Sequence, residues 1–282
     1  MARRVAIVTG ANKGIGYGIV QALCKQFDGD VFLTGRSKER CEAAATELQK
    51  EGLSPKYHHL DIDDKDTIIK LRDFMKEKYD GIDVLVNNAG LAYKRESTVP
   101  FSEQAKMTCA TNFFGTLTVC NTLFPILRPH ARVVNISSTN SQWAIEKCSD
   151  EVRSQFLQPD ITIDKVKGLI QQFIDAAQVG QHQEQGFANT AYGMSHIGIT
   201  VMTFIQQRQM NNDTRDDIII NACCPGFVQT DMSSHKGPKT IQEGAVTPVY
   251  LVLLPAGTTS PKAQSNTGDE VERKRMKKTL IY

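Results

Sequence analysis

Short β-branched runs alternate with longer stretches of helical periodicity along most of this chain of 282 residues. Apolar residues recur every three or four positions in segments 38–50 and 66–79, which lie between such runs. Strict alternation of strand and helix implies right-handed crossovers and a parallel sheet covered by helices on both faces. We therefore predict a single doubly wound α/β domain over residues 1–282, with strands near Val5, Asp30, Tyr57, Val84, Arg132 and Ile218.

Two regions interrupt this alternation. No strand pattern occurs from about residue 141 to 188, a polar segment in which helical spacing is clearest between Val166 and Ala177. We predict a helical insertion here, between the fifth strand and the segment that begins near Tyr192. The tail, residues 255–282, is polar and irregular, and its pattern supports no strand prediction.

The composition is typical of a soluble globular protein and excludes several other classes. Hydrophobic residues make up 40% and charged residues 23%, and the formal net charge is +2, so charge offers no argument for nucleic-acid binding. One dense basic run, residues 272–278, is interpreted as solvated, and a nucleic-acid role for it is a minor alternative. No apolar run reaches the roughly 20 residues that span a membrane, and the N-terminus lacks a signal-peptide pattern. We expect a cytoplasmic protein without membrane association.

The cysteine pattern also favours a cytoplasmic protein. There are seven, an odd number, with no C-x-x-C spacing and one adjacent pair at Cys223 and Cys224. This usage is typical of reduced thiols rather than of a disulfide framework or a zinc site. We expect no metal.

A glycine-rich loop follows the first strand directly. The sequence T-G-A-N-K-G-I-G places glycines at positions 10, 14 and 16, before a predicted helix. Glycine allows a tight turn and close approach of the backbone to a ligand, and the helix N-terminus attracts an anion. At the first strand-to-helix junction of a parallel sheet, this pattern predicts a dinucleotide pyrophosphate site. A plain strand-to-helix turn is the alternative.

The end of the second strand indicates which dinucleotide binds. A carboxylate there would accept hydrogen bonds from a ribose 2'-hydroxyl, but this chain has Arg36 at that point and Lys13 in the glycine loop. Two cations near one spot favour a 2'-phosphate, and hence NADPH. Two solvated surface cations are the alternative interpretation.

Seven motifs in order resemble those of the short-chain dehydrogenases/reductases, over residues 4–255 or so. They are T-G-A-N-K-G-I-G, L-D-I-D-D at Leu60, N-N-A-G at Asn87, T-N-F-F-G-T at Thr111, N-I-S-S at Asn135, Y-G-M-S-H at Tyr192 and C-C-P-G-F-V-Q-T-D-M at Cys223. The insertion before the tyrosine is similar to that of the monomeric, cytosolic, NADPH-dependent carbonyl reductases within this superfamily.

The resemblance implies which residues contact the cofactor. Asp61 and Ile62 would hold the adenine, and Asn88, Ala89 and Gly90 would line its ribose. The segment after the sixth strand would close over the nicotinamide. The complete predicted set is Gly10, Asn12, Lys13, Gly14, Ile15, Gly16, Arg36, Asp61, Ile62, Asn88, Ala89, Gly90, Tyr192, His196, Pro225, Gly226, Val228, Thr230, Asp231 and Met232.

The resemblance also implies a catalytic group. Tyr192 would donate a proton to the substrate oxygen, Ser138 would hydrogen-bond that oxygen, and Asn112 would hold a water in the proton path. The predicted substrate contacts are Ser138 and Tyr192 themselves, together with Tyr93, Lys94, Arg95, Gln104, Asn140, Trp143 and Phe227.

One position departs from the family pattern. The tyrosine motif ends in His196, where a lysine is expected. A lysine charge about 5 Å from the tyrosine would lower the pKa of the phenol by on the order of two units, and a neutral imidazole forfeits most of that effect. With an ordinary pKa near 6.5, the histidine would supply charge only below neutral pH. Simple packing of His196 against the cofactor is the alternative.

These observations predict an NADPH-dependent reductase of aldehydes, ketones or quinones, with glutathione conjugates as further candidate ligands. The alternative is a pseudoenzyme that binds NADPH and senses it or engages a partner protein. The insertion would cover the surface through which many short-chain reductases pair, so we expect a monomer.

Overall fold

A computed structural model describes residues 3–259 and 280–281. Its centre is a parallel sheet of seven strands in the order β3-β2-β1-β4-β5-β6-β7, which confirms the predicted doubly wound α/β fold. The strands are β1 (Val5–Val8), β2 (Asp30–Gly35), β3 (Lys56–His59), β4 (Ile82–Asn87), β5 (Leu127–Ile136), β6 (Ile219–Cys223) and β7 (Leu280–Ile281). The order reverses between β1 and β4, which opens a crevice at the carboxyl ends of these strands.

Helices cover both faces of the sheet. They are α1 (Gly14–Gln26), α2 (Lys38–Lys50), α3 (Lys65–Tyr79), α4 (Phe101–Cys109), α5 (Thr116–Leu123), α6 (Asn140–Lys147), α7 (Asp150–Phe156), α8 (Ile163–Gln178), α9 (Ala191–Met210) and α10 (Ile241–Val252). A π-helical turn, Ala110–Gly115, joins α4 to α5, and a 3-10 turn, Phe124–Ile126, leads into β5. Side chains at the helix starts accept backbone N–H bonds, as Ser37 does before α2 and Thr190 before α9.

The strands carry two hydrophobic cores because successive side chains point to opposite faces. Val5 and Ile7 of β1 join a core formed with α3, α4, α5, α8 and α9. Ala6 and Val8 join the second core, formed with α1, α2 and α10. Burial on both faces explains why inner strands such as β1 and β6 consist of nearly continuous apolar runs, unlike the edge strand β3.

The predicted insertion consists of α6, α7 and α8. Helix α8 buries an apolar stripe against α4 and α9, and the stripe consists of Val166, Leu169, Ile170, Phe173, Ile174, Ala176 and Ala177. The insertion thus lies along the helix that carries Tyr192.

Three elements differ from the sequence-based prediction. Strand β5 begins at Leu127, five residues earlier than expected, and its pairing with β4 is irregular between Ile82 and Val84. The π-helical turn was not anticipated, because its extra residue leaves no periodic signature. A short strand, β7, pairs with β6 although the tail pattern did not indicate one. The basic run 272–278 lies outside the described residues.

Candidate active site

The glycine loop forms an open cradle between β1 and α1. Gly10 and Gly14 have φ values of 61° and 59°, the left-handed region that favours glycine. A Cβ at Gly16 would lie 2.5 Å from the Asn88 side-chain nitrogen, so this position also requires glycine. The first turn of α1 begins at Gly14, and its N–H groups and positive dipole end can receive a phosphate.

Hydrogen bonds from Thr9 and Asn88 fix the cradle to the neighbouring strand. The Thr9 hydroxyl oxygen accepts the backbone N–H groups of Asn88 and Ala89, both at 2.9 Å. The Asn88 amide donates to the carbonyl oxygens of Thr9 and Gly10 at 2.9 and 3.1 Å. The side chain of Asn88 therefore holds the backbone of the glycine loop in place. The contact of Asn88 with the ribose stays a prediction.

The two cations predicted for the 2'-phosphate are placed differently. Arg36 is exposed directly after β2. Lys13 forms an ion pair of 2.6 Å with Asp231, which also contacts His235 at 3.0 Å. The charge of Lys13 is therefore partly balanced by Asp231, and the contact of Lys13 and Arg36 with a 2'-phosphate stays a prediction.

The residues predicted around the adenine follow β3 and β4. The Asp61 carboxylate accepts a hydrogen bond of 3.1 Å from the Asp63 backbone, and Ile62 is buried. Gly90 lies so close to the Asn112 side chain that a Cβ would be 3.1 Å from its oxygen. Asn12 approaches Gly35 at the end of β2, where a Cβ would be 3.2 Å from the Asn12 oxygen.

The segment from Pro225 to Met232 extends over the cradle from the end of β6. Gly226 has a φ of 84°, and Val228 is buried and bridges to Lys239. Thr230 packs beside Gly14, where a Cβ would lie 3.5 Å from the Thr230 methyl carbon. The segment therefore packs beside the glycine loop, and its predicted contact with the nicotinamide stays a prediction.

Tyr192 lies in the first turn of α9, which Thr190 caps. Burial and the neighbouring Cys224 thiol raise the pKa of Tyr192 to about 12, and a hydrogen bond with Ser138 acts in the opposite direction. The phenol is therefore protonated at neutral pH, as a proton donor must be.

Ser138 is oriented as a hydrogen-bond donor. Its hydroxyl oxygen accepts from both the backbone N–H and the side-chain amide of Asn140, each at 3.2 Å. With its lone pairs occupied, the hydroxyl has its hydrogen left to donate. The structure thus brings Ser138, Asn140 and Tyr192 together. Asn140 hydrogen-bonds to Ser138, and its predicted contact with the substrate stays a prediction.

His196 packs against Tyr192 one turn along the same helix. The ring centroids are 4.0 Å apart, and His196 Nδ1 lies 2.9 Å from the Tyr192 carbonyl oxygen and 3.2 Å from Ser195 Oγ. Burial lowers the pKa of His196 to about 4, partly offset by the hydrogen bond to that carbonyl. The expectation that the histidine titrates near neutrality is therefore corrected. At pH 7 the imidazole is neutral, with its Nδ1–H donated to the carbonyl oxygen.

The π-helical turn presents Asn112 to the same region. Its amide exchanges two hydrogen bonds with the Leu91 backbone, at 2.8 and 2.9 Å, and donates a third to Ser195 Oγ at 3.2 Å. Asn112 thus joins the loop after β4 to α9. Its side chain is committed to these contacts, and its predicted water stays a prediction.

The remaining predicted substrate contacts differ in their exposure, and their contact with a substrate stays a prediction. Trp143 and Phe227 are 60% and 57% exposed, which is unusual for large apolar side chains. Tyr93 is partly buried, and Lys94 and Arg95 are exposed in the loop after β4. The Gln104 side-chain amide instead donates a hydrogen bond of 2.8 Å to the Val99 carbonyl oxygen and so supports that loop. In the described part of the chain, no cluster of His, Cys, Asp or Glu is placed to hold a metal ion.

Comparisons with known proteins match this geometry. A family model described as short chain dehydrogenase matches residues 4–149. Carbonyl reductase (NADPH) 1 from Rattus norvegicus is 49% identical over 96% of this chain and 98% of its own length. Its Homo sapiens counterpart is 48% identical over 95% and 98%. The chain belongs to the short-chain dehydrogenase family.

The chain is also similar to two solved structures of plant reductases. Salutaridine reductase from Papaver somniferum aligns with a TM-score of 0.83 and 25% identity, covering 93% of this chain and 99% of that one. Menthone neomenthol reductase from Mentha piperita aligns with a TM-score of 0.77 and 28% identity, covering 93% and 97%.

Several polar residues of the site were missed in the sequence. Ser195 connects Asn112 to His196, and Ser137, Ser141 and Thr200 form buried hydroxyl contacts behind Ser138. A signal for one of them exists, because Tyr192, His196 and Thr200 recur every four residues and so share one face of α9. No helix among the described residues is both long and apolar enough to cross a bilayer.

Proposed function

We propose that this protein reduces aldehydes, ketones and quinones to alcohols with NADPH as the hydride donor. The observation that carries the proposal is the pairing of two protonated hydroxyls, Ser138 and Tyr192, at the carboxyl edge of the sheet beside the glycine cradle. The names of the relatives that share about half of its residues support the same activity.

The residues of the cradle fit the cofactor. Gly10, Gly14 and Gly16 leave the space and the N–H groups that a pyrophosphate needs, and Arg36 is available to a 2'-phosphate. When bound, NADPH supplies the hydride. We assign to it the cofactor contacts predicted from the sequence, with Lys13 shared between Asp231 and the phosphate.

The protein supplies the proton and the stabilisation of charge. Ser138 donates its hydrogen to the substrate carbonyl oxygen, because Asn140 occupies its acceptor sites. Tyr192 transfers its phenolic proton to the same oxygen as negative charge develops there. His196 holds the first turns of α9 through the Tyr192 carbonyl but adds no positive charge at pH 7. We therefore expect a low kcat, with proton transfer from Tyr192 as the rate-limiting step.

The mouth of the crevice suits flat, partly apolar substrates. Trp143 and Phe227, which we place at this mouth, offer exposed aromatic surface, and the exposed Lys94 and Arg95 of the loop after β4 offer positive charge. Aromatic ketones and quinones match the first feature, and anionic adducts such as glutathione conjugates match the second. We further propose a cytoplasmic monomer, supported by seven free cysteines and by the cover that α6 and α8 give to α9.

The test is NADPH oxidation with a panel of aldehydes, ketones and quinones. Tyr192→Phe should lower the rate by roughly a hundredfold or more, because it removes the general acid, while NADPH affinity measured by fluorescence stays nearly unchanged. The alternative, an NADPH-binding pseudoenzyme, replaces this proposal if the protein and its His196→Lys variant both bind NADPH and both leave the whole panel unreduced.

A further inference from the structure

A chain of buried hydroxyls connects helix α9 to the turn that carries Ser138. Ser137 Oγ lies 2.7 Å from Thr200 Oγ1, Thr200 donates to Ser141 Oγ at 3.4 Å, and Ser141 donates to the Ser138 carbonyl at 2.7 Å. Ser137, Ser141 and Thr200 are each at most 1% exposed. We call these three side chains the hydroxyl bridge.

The hydrogens of the hydroxyl bridge have one consistent direction. Ser141 gives its hydrogen to the Ser138 carbonyl and Thr200 gives its own to Ser141, so Ser137 must donate to Thr200. Ser137 is itself fixed to the sheet, because its backbone N–H donates 2.8 Å to the Cys223 carbonyl. The two hydrogen bonds of Thr200, to Ser137 and Ser141, form only while α9 keeps its present rotation against β5 and α6.

Gly193 supplies the second point of contact between the same elements. A Cβ on Gly193 would lie 2.7 Å from the Ala144 Cβ and 3.2 Å from the Asn140 carbonyl oxygen, so α9 and α6 touch closely beside Tyr192. Thr200 lies about two turns further along α9. A helix held by close packing at its first turn and by a directional hydrogen bond at its middle can neither slide nor rotate freely.

We propose that Thr200 is a positioning residue that sets the Tyr192 hydroxyl against Ser138, by way of Ser137 and Ser141. The inference rests on the proposed function, since it concerns the donors of that reaction. Thr200 touches neither Tyr192 nor Ser138, and its effect is transmitted through the orientation of α9. A displacement of the donors by about 1 Å lowers a turnover rate by roughly a hundredfold.

Thr200→Val tests the proposal, because it removes the hydroxyl and keeps the shape. We expect kcat to fall roughly ten- to a hundredfold, with the Kd for NADPH within about twofold of the original. Thr200→Ser should restore most of kcat. Thr203→Val is the matched control, a fully buried threonine of the same helix that accepts from Asn135 and donates to Ile199. It should affect stability to a similar extent but leave kcat nearly unchanged.

A readout independent of activity is the NMR signal of ring-labelled Tyr192, assigned with Tyr192→Phe. Thr200→Val should shift this signal in the same direction as Ser138→Ala, and Thr203→Val should not. Equal losses of kcat in the two valine variants, or an unmoved Tyr192 signal in Thr200→Val, would overturn the proposal. If the unmodified protein reduces no carbonyl compound, the proposed function fails while the NMR comparison still decides the role of Thr200.

Discussion

At the scale of single residues, His196 shows how surroundings determine what a titratable group contributes. Its pKa is lowered to about 4 by burial, so about one molecule in a thousand carries the charge at pH 7. The nearby phenol of Tyr192 has its pKa raised to about 12. The site therefore contains a proton donor without the neighbouring cation that would make proton transfer easier.

We predict that His196→Lys raises kcat roughly ten- to a hundredfold. A lysine charge at this position would lower the pKa of Tyr192 by about one to two units, which corresponds to about 1.4 to 2.7 kcal/mol in the barrier. The measurement is kcat between pH 6 and pH 9 with one quinone substrate. Because His196 is already neutral throughout this range, the unmodified enzyme should show no loss of rate that follows histidine titration.

His196→Gln serves as the control, since it keeps a neutral hydrogen-bonding side chain and should leave kcat close to that of the unmodified enzyme. An unmodified enzyme as fast as its lysine variant would show that charge at residue 196 is not what limits proton transfer.

Arg36 gives a second prediction at this scale, on cofactor choice. Arg36→Glu should weaken NADPH binding by roughly ten- to a hundredfold and affect NADH far less, because a charge-assisted bond to phosphate contributes about 1.5 to 3 kcal/mol. Titration of both cofactors measures the two Kd values. Lys38→Glu, a nearby exposed lysine, controls for general charge. Equal affinity of the unmodified protein for NADPH and NADH would contradict the prediction.

At the scale of elements, the amino-acid pattern predicts what depends on neighbours in the sequence. Helix α2 occupies the predicted segment 38–50, because its apolar positions and the cap at Ser37 are local signals. The contact of Asn112 with Leu91 and Ser195 joins three segments and depends on a π-helical turn. Such a turn differs from an α-helix by a single residue, which no periodic pattern reveals.

Hydrogen bonds and an ion pair join Asp217, just before β6, to Arg132 of β5 and to residues 254–257 after α10. The Asp217 carboxylate contacts the Arg132 guanidinium at 2.9 Å and accepts the Gly257 N–H at 2.9 Å, while Arg132 also donates to the carbonyl oxygens of Leu254 and Pro255. Burial alone would raise the pKa of Asp217, but the bonds from Arg132, Gly257 and His130 lower it to about 2.

We predict that Asp217→Asn lowers the free energy of unfolding by about 2 kcal/mol at pH 7. A carboxylate whose pKa is lower in the folded than in the unfolded state stabilises the fold fully above about pH 4, and this contribution is lost as pH falls through about 2. Urea unfolding of both proteins at pH 7 and pH 3 should therefore give a difference that shrinks at the lower pH. Asp150→Asn, in an exposed ion pair with Arg153, should change little at either pH. A difference that is independent of pH would refute the electrostatic explanation.

At the scale of the whole molecule, the insertion determines which surface is free. Helix α9 packs against α4, α6 and α8 as well as β6, and most of its residues are buried within the one chain. A second copy could reach this helix only by displacing α8 and its apolar stripe. We predict that light scattering finds a monomer near 31.3 kDa. A stable tetramer would mean that another surface pairs.

The sequence predicts candidate residues of the site but not the contacts between them. Motif order indicates Ser138, Tyr192 and Asn112, since each lies in a recognisable stretch of sequence. The ion pair of Lys13 with Asp231 joins residues 218 positions apart, and the roles of Ser195 and Thr200 depend on which helix face meets which turn. These relations arise only when the chain is folded, as does the low pKa of His196.

The π-helical turn between α4 and α5 has a consequence for how this region tolerates change. Because the turn holds one residue more than a regular helix, the direction of the Asn112 side chain depends on the number of residues in the turn as well as on its hydrogen bonds. Removal of one residue from 110–115 would let the backbone adopt an ordinary helix, and the side chains within this turn would then point in different directions relative to α4 and α5. A deletion in this stretch should therefore redirect the Asn112 side chain even where every remaining residue is unchanged, so the segment must preserve its length as well as the identity of Asn112.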